Sequence, residues 1–341
     1  MKAVMIDRPY SVVVTDVNRA PLGEHEVRIQ VKAAGICGSD IHAYKGLHPF
    51  RKPPVIIGHE ISGVVIEHGR LVTRVKVGDR VTVEPQVGCG KCEDCLQGRT
   101  NYCNNRQAPG IGNWYGTMAE EFVAHEDVVF VLPQDMDYNL GALSEPLAVG
   151  VHAVRQADIK VGEKVAVLGS GPIGLLVLAV AKEAGATTIL ATDVFDYCLD
   201  TAETMGATHT INIKGKENWI EEAKEMNGGP FDKVFVCIGV PGIVNQALSL
   251  VKKGGLVVTV AMFHEEQSLD IMQLQGQEKQ LVGCFCYTRQ DTITAVDLLA
   301  SGRIETDAII THVLPYSEAA EGFRMMDKKE GNPLKILVTF D

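Results

Sequence analysis

Apolar and polar positions change rhythm along the chain. Over residues 12 to about 131 they tend to alternate, as in VRIQVKA and GDRVTVEP, between Gly and Pro punctuation. That pattern predicts short antiparallel strands in a barrel-like or sandwich domain. After about Ala148 the apolar residues gather into runs, KVAVLG, TTILATD, DKVFVCIG and GGLVVTVA, separated by segments of helical character. Buried strands alternating with helices predict βαβ units and a parallel sheet. From about Thr288 that rhythm stops, and VDLLASGRI and the closing ILVTF strand are expected to return to the first domain. The expected fold class is α/β, with a β-rich domain from residues 1–147 and 288–341 and a doubly wound nucleotide-binding domain over 148–287. No repeat or low-complexity tract interrupts this plan.

Composition narrows the function classes. With 341 residues, 46% hydrophobic and 22% charged, the chain has the make-up of a globular protein of about two domains. A net charge of −11 and a pI near 5.4 work against nucleic acid or an anionic membrane as partner, because both attract basic surfaces. The longest uncharged run, residues 165–181, is too short for a typical membrane span and is broken by glycines and Pro172, so it reads as a buried strand, turn and helix. The start, MKAVMIDRPY, has Lys2, Asp7 and Arg8 where a secretory signal would be apolar, and a cytoplasmic protein is expected.

Four of the nine cysteines fall within fifteen residues, in GCGKCEDCLQGRTNYC. Cys89, Cys92, Cys95 and Cys103 have the spacing of four thiolates closing a tetrahedron around Zn²⁺. The Gly, Lys, Glu, Asp, Gln, Arg and Asn around them argue against four buried hydrophobes. With all four positions taken by Cys, such a metal is structural, since nothing is left open for water or substrate.

A second donor set is dispersed. GICGSDIH supplies Cys37, IIGHEISG supplies His59 and Glu60, and LSEPLAVG supplies Glu145. A thiolate, an imidazole and one carboxylate make three ligands and leave a fourth position for water or a substrate oxygen, the pattern of a catalytic zinc. Taken singly, each residue has a plainer reading: a core Cys, a satisfied loop His, a salt-bridged Glu.

A third motif, GSGPIG, follows the strand KVAVL and opens the helical run LLVLAVAKEAGA. Gly169, Gly171 and Gly174, with Pro172 and Ile173 between them, fit a turn that admits a pyrophosphate to a helix N-terminus. Asp193 lies nineteen residues beyond Gly174, at the end of TTILATD, where an acid accepts hydrogen bonds from the adenosine ribose. Val194 and Phe195 offer no Arg to neutralise a 2′-phosphate, so NAD is expected over NADP.

In combination, CGSD, GHE, the four-Cys lobe and the glycine motif resemble the zinc-containing medium-chain dehydrogenases along the whole chain, and SEPLAVGVHAVRQADIKVGEKVAVLGSGPIG is most similar to sorbitol dehydrogenases. The resemblance implies a GroES-like catalytic domain beside a Rossmann domain, two zinc ions per subunit and a homotetramer, or a homodimer, with the cysteine lobe and the sheet edge near KQLVGCF as contacts. It implies that Cys37, His59 and Glu145 bind the catalytic zinc, with Glu60 beside the metal and able to exchange with its water. It implies that Asp40 holds the ligating His59 in place, and that Ser39 and His42 relay the proton of a small polyhydroxy substrate outward while hydride passes to the nicotinamide. Sorbitol dehydrogenases carry a Tyr after the relay His and a late Arg-Tyr pair; here those positions are Ala43 and Cys286 followed by Tyr287, so only Tyr287 is carried over and the pocket is altered. The loop HAYKGLHPFRKPPVIIGHE is similar to that of bacterial hexonate dehydrogenases. Its Arg51 and Lys52 would pair with a substrate carboxylate or phosphate, or else form a solvated turn. Trp114 and Met118 would wall the pocket or pack in the barrel. Threonine and short-diol dehydrogenases, and a non-catalytic zinc and nucleotide binder, are the competing readings; EPLA around Glu145 favours polyols over threonine, and retention of Cys37, His59 and Glu145 favours turnover.

Overall fold

The computed structural model describes residues 1–340, which fall into two compact units. The first comprises Met1–Glu145, Thr288–Ser301 and Ile310 onward; the second comprises Pro146–Tyr287 and Gly302–Ile309. The short segment Gly302–Ile309 therefore belongs with the second unit, while the rest of the late chain joins the first.

In the first unit, the long strand Glu26–Ile36 is central. It lies between the late strand Lys335–Thr339 and the strand Glu60–His68, antiparallel to both, and also pairs with Glu121–His125. Arg80–Val83 and Val129–Val131 extend the sheet on one side, and Ile310–Pro315 closes it on the other, parallel to Lys335–Thr339. A smaller sheet joins Lys2–Arg8 to Ser11–Asp16 and Val55–Ile56. Alternation explains the packing. Val27, Ile29 and Val31 face a core with Val4, Ile6, Ile61, Val65, Val81, Phe122, Phe323 and Val338. The polar Arg28 between them is also buried, because Glu67, Glu121 and the Ala20 carbonyl satisfy its guanidinium at 2.9, 3.2 and 2.9 Å.

The second unit is a six-stranded parallel sheet. Its order is His209–Asn212, Thr188–Asp193, Lys164–Leu168, Phe231–Val236, Val251–Thr259, Gln280–Gly283. Numbered within the unit, this is 3-2-1-4-5-6, the doubly wound order, with its reversal between Lys164–Leu168 and Phe231–Val236. Ala166, Leu168, Leu190, Val234, Val236 and Val257 are fully or almost fully buried, as strands covered by helices on both faces must be. Residues 165–181 form the rest of one strand, the glycine turn and most of the helix Pro172–Glu183. Among the described residues, no helix is long and apolar enough to cross a membrane.

Candidate functional site

The ICGSDIH segment is not a plain loop. Cys37 caps a short helix, Gly38–Tyr44, and Asp40 reaches back so that its Oδ2 accepts from the Cys37 backbone N–H at 2.9 Å. This reciprocal cap fixes the Cys37 backbone and places Asp40 in the interior, fully buried. The other carboxylate oxygen, Oδ1, stands 3.3 Å from His59 Nδ1. A carboxylate at Nδ1 favours the tautomer that leaves Nε2 available as a ligand.

His59 immediately precedes the strand Glu60–His68, so its side chain and that of Glu60 leave adjacent backbone positions where the loop becomes sheet. One donor atom each of Cys37, His59 and Glu60 lies within 4.8 Å of the others. Burial alone would lower the imidazolium pKa of His59, but Asp40 and Cys37 beside it raise it well above 6.5. Asp40 balances burial against the same His59, Arg51 and the Cys37 N–H, and stays below the usual carboxylate range. The donor set of a half-buried cysteine with a buried imidazole and carboxylate, backed by a further acid, is chemically suited to Zn²⁺.

Glu145 is buried in the first turn of the helix Ser144–Ala157. It is not part of the three-donor cluster, although its charge reaches Lys335, which lies against Glu60. Lys335 escaped the sequence reading. Its Nζ donates to Glu60 Oε1 and Oε2 at 2.6 and 2.8 Å, with both side chains almost wholly buried. The signal was present as one lysine inside the apolar run PLKILVTF.

The remaining predicted residues separate. Ser39 and His42 sit on the capped helix and are half-buried. Arg51 is not a solvated turn: it is 8% exposed, its Nε donates to the Pro109 carbonyl at 2.9 Å, and its charge acts on Asp40. Lys52 beside it is exposed. Trp114 and Met118 both pack against the core of the first unit, and Trp114 also lines a cleft with Val87, Gln107 and Phe122. Met118 is wholly buried in the core, and Trp114 stacks on Phe122 while its Nε1 donates to the Val123 carbonyl. Tyr287 is buried and belongs to the second unit.

The four-Cys lobe is assembled as its spacing suggests, with all four sulfurs within 4.8 Å of one another. The Cys89 N–H points at Cys103 Sγ and the Cys95 N–H at Cys92 Sγ, at 3.3 and 3.5 Å. Backbone N–H groups of Lys91 and Cys92 pull the Cys89 thiol down while burial pushes Cys95 up, so deprotonation within the cluster is expected to begin at Cys89.

In the second unit, Gly169 has φ +92° and turns the chain out of the strand. A side chain on Gly169 would press on Ile238, and one on Gly174 would collide with the Gly169 carbonyl. At Gly171 the space is open, which is where a pyrophosphate needs close approach, directly before Pro172 and Ile173 begin the helix. Asp193 Oδ2 accepts from the Ser170 N–H and Oδ1 from the Val194 and Phe195 N–H groups, at 2.8, 2.8 and 3.1 Å. The acid is thereby tied to the glycine turn. These residues fit a dinucleotide.

Comparison with known proteins agrees with both units. Residues 23–134 match the family model for an alcohol dehydrogenase GroES-like domain, and residues 172–301 match that for a zinc-binding dehydrogenase. Sorbitol dehydrogenase 1 of Saccharomyces cerevisiae is 38% identical over 323 residues, covering 92% of this chain and 90% of that protein. Among crystal structures, 2R,3R-butanediol dehydrogenase from Bacillus subtilis superposes with a TM-score of 0.91 at 31% identity, covering 100% of this chain and 99% of that one. L-idonate 5-dehydrogenase from Escherichia coli gives 0.90 at 29%, covering 99% and 98%. With a GroES-like sheet, a doubly wound sheet, the buried donor cluster and a near full-length relative, the chain belongs to the zinc-containing medium-chain alcohol dehydrogenase family.

Proposed function

We propose that the protein is a zinc-dependent, NAD-linked dehydrogenase that oxidises a secondary hydroxyl of a polyol, sugar or sugar acid to the ketone. The observation that carries this reading is the convergence of Cys37, His59 and Glu60 within 4.8 Å, with Asp40 3.3 Å behind the imidazole. The substrate class rests on the polyol, diol and sugar-acid dehydrogenases that the chain resembles at full length.

Zinc bound there would supply a Lewis acid for the hydroxyl, and a bound nicotinamide would supply the hydride acceptor. The chain's own residues do the rest. Cys37 and His59 hold the metal site, and a carboxylate from Glu60 or Glu145 completes it. Asp40 fixes the imidazole ring. Ser39 and His42 lie three residues apart on one helix, hence on one face, where a hydroxyl can pass a proton to an imidazole. Asp193 accepts from the ribose hydroxyls and repels a 2′-phosphate, which supports NAD over NADP. The four-Cys lobe takes a second, structural zinc. Four cysteines gathered as one metal-ligand set support a reducing, cytoplasmic setting. The edge strand Gln280–Gly283, paired on one side only among the described residues, supports a homodimeric or homotetrameric assembly.

The test follows NADH formation by zinc-replete protein with sugar alcohols, aldonates, their phosphates, diols and threonine, with NAD and NADP in parallel. Turnover with a polyol or aldonate and NAD is expected. Cys37→Ser and His59→Ala are expected to abolish it while dinucleotide binding persists. Near-native turnover in either variant rejects the site.

A further inference from the structure

Arg51 is a buried arginine whose guanidinium is only partly paired. Two loops of the first unit clamp it. On its own side, His48 Nδ1 accepts from the N–H groups of Phe50 and Arg51 at 3.1 and 3.0 Å. The N–H groups of Leu47 and His48 in turn donate to the His42 carbonyl, in the last turn of the helix Gly38–Tyr44. Burial and the Arg51 charge hold His48 down to about 4, so at neutral pH its ring is uncharged and keeps both N–H groups. From the other side, the Pro109 carbonyl accepts from Arg51 Nε at 2.9 Å. Gly110 lies so close that a Cβ there would stand 3.3 Å from Arg51 Cδ and 3.4 Å from Nε. The stem and Nε are thus fixed. The two Nη groups are not: among the described residues no oxygen accepts from them, no carboxylate forms an ion pair with Arg51, and neither Nη is sealed from solvent. The Arg51 charge also reaches Asp40, whose Oδ1 stands 3.3 Å from His59, so the guanidinium lies near the donor cluster of Cys37, His59 and Glu60.

Taking a guanidinium out of water is costly unless anionic oxygens meet its N–H groups. Asp40 offsets part of the charge from a distance, but its oxygens go to the Cys37 N–H and to His59. What remains is a planar fork anchored at Nε, with the end-on edge between the two Nη groups open. A carboxylate fits that edge with two parallel N–H···O bonds. We propose that Arg51 is a specificity-determining residue that receives the carboxylate of the substrate, and that this substrate is a sugar acid, not an uncharged polyol. One cation suits a monoanion. A phosphate, with up to two charges, would call on a second cation, whereas Lys52 is exposed, His48 is neutral and Asp40 opposes further negative charge. An uncharged polyol would set a hydroxymethyl group against the fork and leave its charge unmet, which selects against it. This inference deepens the reading of the Cys37 and His59 cluster as the site of hydroxyl oxidation, and rests on it.

The experiment uses zinc-replete full-length protein with NAD. Its probes are gluconate, galactonate, mannonate and idonate, each paired with the hexitol that carries a hydroxymethyl group in place of the carboxylate. Native protein is expected to favour at least one hexonate over its hexitol in kcat/KM by about thirtyfold or more, the scale of a charge-assisted hydrogen bond. In Arg51→Met that preference is expected to disappear, through KM more than kcat, because the carboxylate is bound alike before and during the reaction. Arg51→Lys keeps the charge but neither the fork nor the Pro109 anchor, and its preference is expected to fall between the two. Should neither variant fold, native protein still gives the answer by ¹⁵N NMR. The Arg51 Nε–H signal, recognised by its closeness to Gly110, is expected to shift on titration with the preferred hexonate and to stay in place with its hexitol. Equal losses for hexonate and hexitol in Arg51→Met would make Arg51 a mere support of Asp40 and overturn the proposal. So would native protein that turns over the hexitols at least as well as every hexonate. A preference for hexitol phosphates, with none for hexonates, overturns it too and gives the subsite to a phosphate. Absence of turnover with every compound overturns the underlying reading of the site instead.

Discussion

Single residues here do work that their type does not announce. Glu84 follows the strand Arg80–Val83 in a buried position, where it accepts from Gln86 Nε2 at 3.1 Å and faces Thr100, Arg289 and Asp291. Burial, opposed by Gln86 and Arg289, pushes its pKa up from 4.5 to about 7. The folded state then keeps a proton that the unfolded chain loses first. The stability this contributes is complete below pH 4.5 and falls as pH rises to about 7, a loss on the order of 3 kcal/mol at most. Glu84→Gln is expected to stabilise the protein by about 1–3 kcal/mol at pH 8 and to change little at pH 4.5, as read from denaturant midpoints. An equal effect at both values would show that Glu84 is ionised throughout. Residues of this kind are hard to read from sequence. Cys37 and His59 could be found because few other side chains hold zinc, whereas Glu84 and Lys335 are of types usually exposed. Their burial depends on partners hundreds of positions away in the case of Lys335, and no local pattern encodes that.

Elements differ in what specifies them. The glycine turn and its helix were legible because strand, turn and helix are contiguous and each leaves its own mark. The helix Gly38–Tyr44 was not: it begins with Gly and Ser, both poor helix formers, and is set by the reciprocal bond between Cys37 and Asp40. The cysteine lobe is the opposite case, legible from spacing and nearly devoid of a core. Its helix Glu93–Leu96 buries no residue, and Leu96 is 75% exposed. Little besides a bound metal would then oppose the entropy of this segment. Removal of zinc with a chelator is expected to raise hydrogen exchange over residues 88–103 at least tenfold while the strands of the second unit keep their protection. Unchanged exchange in the lobe would mean that the metal is not what orders it.

At the scale of the molecule, the six parallel strands followed from the apolar runs, whereas the pairing of Lys335–Thr339 with Glu26–Ile36 did not. The sequence shows that a strand exists and which of its residues are apolar; it does not show which of several edges will accept it. The two units also make separable responses: addition of NAD is expected to slow hydrogen exchange around Gly169–Gly174 and Asp193 and to leave the chelator-sensitive lobe unchanged. Protection by NADP equal to that by NAD would remove the role assigned to Asp193. The late strand has one more consequence. Gly35 and Glu60 are made early in synthesis, but the lysine that neutralises Glu60 is added only after the whole second unit has been translated. On the ribosome the nucleotide unit has nearly all of its strands while the first unit still has a vacant lane in its central sheet. Until that lane is filled, the Glu60 carboxylate lacks the lysine that neutralises it, so the nascent first unit is expected to be less stable than the finished one.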